Sequence, residues 1–556
     1  MSVYDEKPWL KTYPAWVPPS LPLPTQSAVD LFEAVVREQP ESPCLCYFDD
    51  VYSYREVSRA ASALSAALKD LGVKPGDRVI IDMQNIPQIV IASLGVWMRG
   101  AIVLPLNPMF KAHELEYYIN DGDAHVIITQ DDVYASMVKE AVEGRKDMTV
   151  ITTSPRDFLR AGQEIPDQLK GLEKKTFPAT LDMVELLARY RDRPSDALKV
   201  QTEDIAFLVY TSGTTGPAKG AMITHSNVVH NSHVYAEVCR LDRSDVVLGV
   251  APLFHITGIV AHMIIAFRLG LPIVLFHRFD PGDCLRLSEK YKVTFTVAAI
   301  TVFTALMNYP SLSKFDISSF RKCYSGGAPV PKGMVDRFRQ ATGITIYNVY
   351  GLTESSSPAT LTPIEVEGPV DEESGALSVG LPVPGHEAWI VDAADRNREV
   401  PIGQEGELVL RGPGITCGYW RKPEETSHAI SDGRFFTGDI AKIDEKGWVY
   451  IVDRKKDLIN VSGFKVWPRD VEDVLYKHHA VKETAVVGVP DSYRGETVKA
   501  FVSLRDEFKE KVTGEELIEF CKERMAAFKY PRQVEIIEEI PKTTSGKVLR
   551  RVLRQL

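Results

Sequence analysis

Apolar positions along the chain change period several times, and each change predicts an element. Residues 28–39 ("AVDLFEAVVREQ") and 54–72 ("YREVSRAASALSAALKDLG") carry apolar side chains at the 3.6-residue spacing of amphipathic helices. Short apolar runs at 77–82 ("DRVIID") and 125–129 ("HVIIT") fit buried strands. The alternation returns between Asp204 and Val349. "DIAFLVY", "AMIT", "VVLGVAP", "PIVLF", "FTVAA", "KCYSGG" and "ITIYNVYG" are strand-like, and most are separated by helix-length segments. Strands that alternate with helices predict parallel α/β sheets, whose ligands bind at the carboxyl ends of strands. Three loops fall at such ends: 210–225 ("YTSGTTGPAKGAMITH"), 325–329 ("SGGAP") and 350–354 ("YGLTE").

From about Ser378 the texture changes. "EAWIVD", "GELVLRG", "RFFTGDIAKID" and "GWVYIVDR" are closely spaced strands broken by Gly, Asp and Pro turns, which predicts a small β-rich subdomain. A charged break, "DRKKD", begins at Asp453. A compact α/β unit follows and ends in a basic tail. The expected organisation is a large N-terminal domain, 1–452, with the β-rich subdomain at about 378–452. A small C-terminal domain spans 453–556. The fold class is α/β, with two parallel sheets in the large domain.

The length of 556 residues agrees with more than one core. The formal net charge of −10 argues against a nucleic-acid binder. Seven scattered cysteines do not suggest a disulfide framework, and a reducing cytoplasm is the expected setting. The N-terminus has no charged region followed by an apolar run, so no secretory signal is expected. Residues 258–276 are the most apolar long stretch. His262, Arg268, Gly270 and Pro272 interrupt it, so a buried helix and a strand are expected and an integral membrane segment is not. His225, His230 and His233 have no acidic or cysteine partner at a metal-ligand spacing. Solvated or capping roles are expected for them.

The loop after Tyr210 carries anion-binding chemistry. Its glycines allow backbone N–H groups to converge. Thr211, Ser212, Thr214 and Thr215 add hydroxyls, and Lys219 adds a cation. It is not a nucleotide P-loop. Counted from Gly213, the glycine required before the lysine is Ala218, and Gly220 replaces the magnesium-binding hydroxyl. Such a loop could equally be a flexible surface turn.

Six ordered motifs decide between these readings. "YTSGTTGPAKG", "NVYGLTE", "GELVLRGPGITCGYW", "FFTGDI", "DRKKDLINVSGFKVWPRDVE" and "PKTTSGK" resemble the successive signatures of the adenylate-forming superfamily. That superfamily contains acyl-CoA synthetases, peptide-synthetase adenylation domains and beetle luciferases. The N-terminal "KPWLKTYP" and "LPLP" are similar to bacterial fatty acyl-CoA ligases. The resemblance implies two half-reactions. A carboxylate attacks the α-phosphate of ATP, giving acyl-adenylate and pyrophosphate. Coenzyme A then displaces AMP.

The resemblance also implies residue roles. Thr211, Ser212, Gly213, Thr214, Thr215 and Lys219 would cradle the β- and γ-phosphates. Glu354 matches the Mg²⁺-binding carboxylate, with Thr211 as hydroxyl partner. Lys547 matches the catalytic lysine that bridges carboxylate and α-phosphate. Tyr350 and Gly351 would stand beside adenine, with Gly327 and Ala328 as the opposite wall. Thr353 would touch the α-phosphate. Asp439 would hold the ribose, and Arg454 would be a second ribose or phosphate contact. Lys456 falls at the hinge between domain orientations. Asn460, Ser462, Gly463 and Phe464 would line the coenzyme A tunnel. His255 matches an aromatic gate. Ile256, Gly258, Ile259, Ala299, Val349 and Ser355 would shape an apolar acyl pocket.

Medium- or long-chain fatty acids are therefore the expected substrates. An aryl or arylalkanoate ligase and a luciferase-like oxidoreductase are the alternatives. The expected partners are the acid, ATP, Mg²⁺ and coenzyme A, and a homodimer is compatible with the family.

Overall fold

The computed structural model describes residues 4–193, 198–211, 217–372, 375–454, 457, 459–461, 464–466, 468–491, 495–509, 511–525, 528–542 and 548–556, with the backbone alone at 453, 454, 460, 464, 465, 495 and 551. Among these residues the strands form four sheets.

The first sheet has nine strands. Its interior is parallel, with Pro43–Tyr47, Ile273–Leu275, Val247–Leu248, Phe295–Ala298, Lys322–Ser325 and Ile346–Tyr350 in spatial order. Antiparallel strands finish both edges. The second sheet has seven strands. Arg78–Asp82 lies between Ile102–Leu106 and Ala124–Gln130, all parallel. Ile205–Thr211 adds to the parallel set, and Lys219–Thr224 returns antiparallel to it at the edge. The strands on either side of the phosphate-loop motif are therefore the two arms of a hairpin.

One continuous apolar cluster draws on both sheets and on the helices Ala28–Glu38, Tyr54–Asp70 and Pro87–Trp97. Every residue of Pro87–Trp97 is buried, which its all-round apolar sequence requires. Gly95 lets that helix meet its neighbour. A Cβ there would lie 3.1 Å from the carbonyl oxygen of Ala61 and from Leu64. Ser27, Ser53 and Thr224 close capping boxes at the starts of three helices.

The stretch 258–276 folds as expected into buried helix and strand, with a π-helical turn at Ile259–Ile264. No helix among the described residues is long and apolar enough to cross a membrane. Of the histidines, His225 takes the capping role expected, while His225 and His230 are both buried and not solvated. His225 Nδ1 accepts the N–H of Ala28 at 3.3 Å and so caps a different helix from its own. Burial lowers its pKa to about 3. His233 stands 3.4 Å from Glu237.

The third sheet is antiparallel and is built from Glu387–Val391, Gly406–Arg411, Arg434–Ile443, Ile430–Ser431 and Val449–Arg454. The strand read as "GWVYIVDR" runs to Arg454, so it takes in the first two residues of the charged break. Asp453 and Arg454 pair with Ile440 and Asp439. The N-terminal turn Trp9–Thr12 packs on this subdomain at Gly447. That glycine has φ +85°, and a Cβ there would lie 2.4 Å from the Trp9 backbone. The fourth sheet contains Ile459–Val461, Phe464–Val466, Val481–Asp491, Gly495–Leu504 and Gln533–Ile536 around its own apolar cluster.

Candidate active site

The strands Lys322–Ser325 and Ile346–Tyr350 are parallel neighbours, with Ser325 opposite Asn348. Their carboxyl-end loops therefore lie side by side, where parallel sheets bind ligands. Two glycines shape the first loop differently. A Cβ on Gly326 would lie 2.2 Å from the Val349 carbonyl oxygen, so close approach demands glycine there. Gly327 has φ +78° with open space around it, so its backbone angle is the constraint. Tyr350 ends the second strand, and its hydroxyl donates to Asp439 Oδ2 at 2.6 Å. Asp439 is buried, and its N–H donates to Thr437 Oγ1 at 3.1 Å. Asp439 is also opposite Arg454 in the antiparallel ladder. Three residues from separate motifs thus meet at one place.

Glu354 sits in the single turn Thr353–Ser355, buried at 9% exposure. Ser355 locks that turn. Its Oγ accepts the N–H of Leu352 at 2.9 Å and donates to the Leu352 carbonyl at 3.2 Å. Both arms of the 205–224 hairpin pack on the turn. The segment 416–420 extends the sheet beside Lys219–Thr224. Met222 N–H donates to the Gly418 carbonyl at 2.9 Å, and Trp420 N–H to the Gly220 carbonyl at 2.8 Å. Thr416 N–H reaches the Glu354 carbonyl at 2.7 Å. The same segment supplies Tyr419, whose hydroxyl donates to Glu354 Oε1 at 2.7 Å. Lys219 Nζ lies 4.6 Å from the centroid of the Tyr419 ring. Burial first, and then the Glu354 charge, hold the tyrosine pKa well above its usual value. A buried carboxylate in a turn that packs on the strand Ile205–Thr211 supplies an oxygen ligand of the kind a hard divalent cation takes.

The helix His225–Val238 sets these loops from behind. Asn231 Nδ2 donates to the carbonyls of Ser355, Ser356 and Pro358 at 2.9, 3.0 and 3.1 Å. One turn earlier, Asn227 Nδ2 donates to Pro413 and Ile415 at 2.7 and 3.1 Å. The loop flanks are anchored too. Tyr117 Oη donates to the Ala218 carbonyl at 2.6 Å, and Tyr210 Oη to Asp121 Oδ2 at 2.7 Å.

The expected acyl lining is mixed in character. His255 is half-buried and caps the short helix Ile256–Gly258, with its Nδ1 accepting the Thr257 N–H at 3.4 Å. Ile256, Ile259 and Val349 are buried, and Ala299 is partly exposed. Gly258 answers to packing: a Cβ would lie 2.2 Å from the Pro252 carbonyl oxygen. Asn85 braces the approach to His255. It donates to the carbonyls of Gly249 and Ala251, each at 2.9 Å, and accepts the Leu253 N–H at 2.8 Å. Behind this wall the π-helical turn carries His262, whose Nε2 accepts the Val297 N–H at 3.2 Å. Burial holds its pKa near 3.

Ser212, Gly213, Thr214, Thr215, Lys456, Ser462, Gly463 and Lys547 lie outside the described residues, and Arg454, Asn460 and Phe464 are described by backbone alone. Tyr419, Asn227, Asn231, Asn85 and Gly326 belong to the site's construction but were not singled out in the sequence. Tyr419 was within reach there, because it lies in the quoted "GELVLRGPGITCGYW" motif.

Residues 32–420 match the AMP-binding enzyme family, and residues 470–547 match the AMP-binding enzyme C-terminal domain. A long-chain-fatty-acid–CoA ligase of Bacillus subtilis is 36% identical over 99% of this chain and 98% of its own length. Its counterpart in Salmonella typhimurium is 37% identical over the same shares. Among solved structures, ATP-bound MatB from Rhodopseudomonas palustris superposes with a TM-score of 0.83 at 28% identity, covering 95% of this chain and 99% of MatB. The anthranilate CoA ligase AuaEII, in complex with anthranoyl-AMP, gives the same score and identity over 96% and 98%.

Proposed function

The chain belongs to the AMP-binding, adenylate-forming enzyme family, and from that premise we propose that it joins a medium- or long-chain fatty acid to coenzyme A. It is an AMP-forming acyl-CoA ligase with ATP and coenzyme A as substrates. The observation that carries the residue assignments is the meeting of Glu354, Tyr419 and Lys219 at the carboxyl ends of the strands, next to the Tyr350–Asp439 pair. The fatty character of the acid rests on full-length likeness to fatty-acid ligases and on buried aliphatic residues beside His255. An aryl acid is the second reading, because a feruloyl-CoA synthase of an Amycolatopsis species is 31% identical over 93% of this chain.

Adenylate formation brings two anions together, so the site must place positive charge and donors where charge accumulates. Thr211, Ser212, Gly213, Thr214, Thr215 and Lys219 would hold the leaving pyrophosphate. Glu354 and Thr211 would hold Mg²⁺, which supplies charge neutralisation at the phosphates when bound. Thr353 and Lys547 would steady the α-phosphate and the attacking carboxylate. Tyr350, Gly351, Gly327 and Ala328 would enclose adenine. Asp439 and Arg454 would orient the ribose. In the second half-reaction the 453–556 domain would turn about Lys456 and bring Asn460, Ser462, Gly463 and Phe464 to the thiol tunnel, with His255 as the gate. A cytoplasmic setting suits the seven cysteines, all free thiols, and a homodimer is compatible with the family.

The test is pyrophosphate release over a panel of fatty and aryl acids, with and without coenzyme A. Fatty-acid-dependent release with matching AMP and acyl-CoA is expected. Preference for an aryl acid overturns the substrate reading. Lys547→Ala should lower adenylate formation by about a hundredfold or more, while thioester formation from supplied acyl-adenylate persists. Equal loss of both half-reactions would make Lys547 structural.

A further inference from the structure

Tyr419 is 5% exposed and makes two contacts of different kinds. Its hydroxyl donates to Glu354 Oε1 at 2.7 Å, and its ring carries Lys219 Nζ at 4.6 Å from the centroid. Both partners precede it in the chain but belong to different sheets. Glu354 lies 65 residues earlier, in the turn after the strand Ile346–Tyr350 of the nine-stranded sheet. Lys219 begins the edge strand of the seven-stranded sheet. Tyr419 itself is held rigidly. Its N–H donates to Thr426 Oγ1 at 2.9 Å, and Ala221 faces it across an antiparallel bridge. Gly418, with φ +135°, cannot carry a side chain, because a Cβ would lie 2.6 Å from Thr426 Cγ2.

We propose that Tyr419 is the positioning residue of adenylate formation, orienting the Glu354 carboxylate through its hydroxyl and seating Lys219 on its ring. The inference rests on the reading of Glu354 as the metal-binding acid. A carboxylate that must present one oxygen to a cation needs its torsion fixed, and a donor on the other oxygen does this. The hydroxyl is placed as a donor by its 2.7 Å approach to Glu354 Oε1. The face of the ring attracts the ammonium group and sets where the Lys219 charge stands relative to Glu354. One side chain thereby couples the metal acid to the phosphate-loop cation across the two sheets.

Two variants separate the contacts. Tyr419→Phe keeps the ring and removes the hydroxyl, whereas Tyr419→Leu removes both. Three measurements read them: the Mg²⁺ concentration for half-maximal pyrophosphate release without coenzyme A; equilibrium ATP binding in EDTA by calorimetry; and thioester formation from supplied acyl-adenylate. Tyr419→Phe should raise the Mg²⁺ requirement about tenfold or more, with ATP affinity in EDTA unchanged. Tyr419→Leu should in addition weaken ATP in EDTA about two- to fivefold. Thioester formation should stay near wild type in both. Glu354→Gln is the reference. If it shifts the Mg²⁺ requirement and Tyr419→Phe does not, the positioning role is overturned. If Glu354→Gln itself leaves the requirement unchanged, the metal reading fails and the inference falls with it. Equal loss in all three measurements for Tyr419→Phe would mark a purely structural residue. Should Tyr419→Leu fail to fold, Tyr419→Phe decides alone.

Discussion

Asp82 ends the strand Arg78–Asp82 fully buried, opposite Leu106 and Thr129. Neither carboxylate oxygen has a hydrogen-bond partner among the described residues. Burial first, and then the nearby Asp132 charge, push its pKa up to about 7. A raised acid pKa means that the folded state holds the proton more tightly than the unfolded state. The neutral form is free of penalty below the unfolded value near 4. Stability is then lost as pH rises through about 7 and levels off above it. Asp82→Asn should therefore raise stability at pH 8 by up to about 4 kcal/mol and leave it little changed at pH 4. Thermal unfolding of both proteins across that range checks the sign. A gain that is equal at both pH values would mean that Asp82 is not the titrating group.

At the scale of elements, the helix His225–Val238 does more than cover a sheet. Asn227 and Asn231 stand one turn apart and reach two loops that are remote in sequence. Asn231 Nδ2 shares its two N–H groups among three carbonyls, those of Ser355, Ser356 and Pro358, at and just after the Glu354 turn. Asn231→Ala should cost about 2–4 kcal/mol, since buried carbonyls lose their donor. It should also lower pyrophosphate release at least about tenfold, through misplacement of Glu354. Denaturant titration and the adenylation assay test both parts. Stability loss with normal adenylation would detach this helix from the chemistry. The strand and helix pattern was legible because period and length identify each element locally. The hairpin pairing of 205–211 with 219–224, and the pairing of Asp453 and Arg454 with Ile440 and Asp439, were not, because pairing depends on partners elsewhere in the chain.

At the scale of the whole molecule, the proposed turnover alternates between two orientations of the 453–556 domain. Gly463 is assigned to the thiol tunnel in the second orientation only. Gly463→Leu should therefore leave pyrophosphate release within about twofold of wild type and lower thioester formation about a hundredfold. Separate assays of the two half-reactions measure this. Undiminished acyl-CoA production would remove Gly463 from the tunnel.

By itself, the amino-acid sequence determined the α/β class, the order of elements, the family and the acyl-CoA ligase reaction. The first two depend on local periodicity, and the last two on the resemblance of short, ordered motifs to those of a known family. It also named Glu354, Asp439, Tyr350 and Lys219 one by one. Only the tertiary structure decided that Tyr350 bonds to Asp439, that Tyr419 joins Glu354 to Lys219, and that Asn85, Asn227 and Asn231 brace the loops around them. It also turned Gly326 and Gly258 into packing requirements, set by the carbonyls of Val349 and Pro252. The physical reason is the same in each case. A hydrogen bond or a van der Waals contact belongs to a pair of groups, and the chain must fold before the second member of the pair arrives.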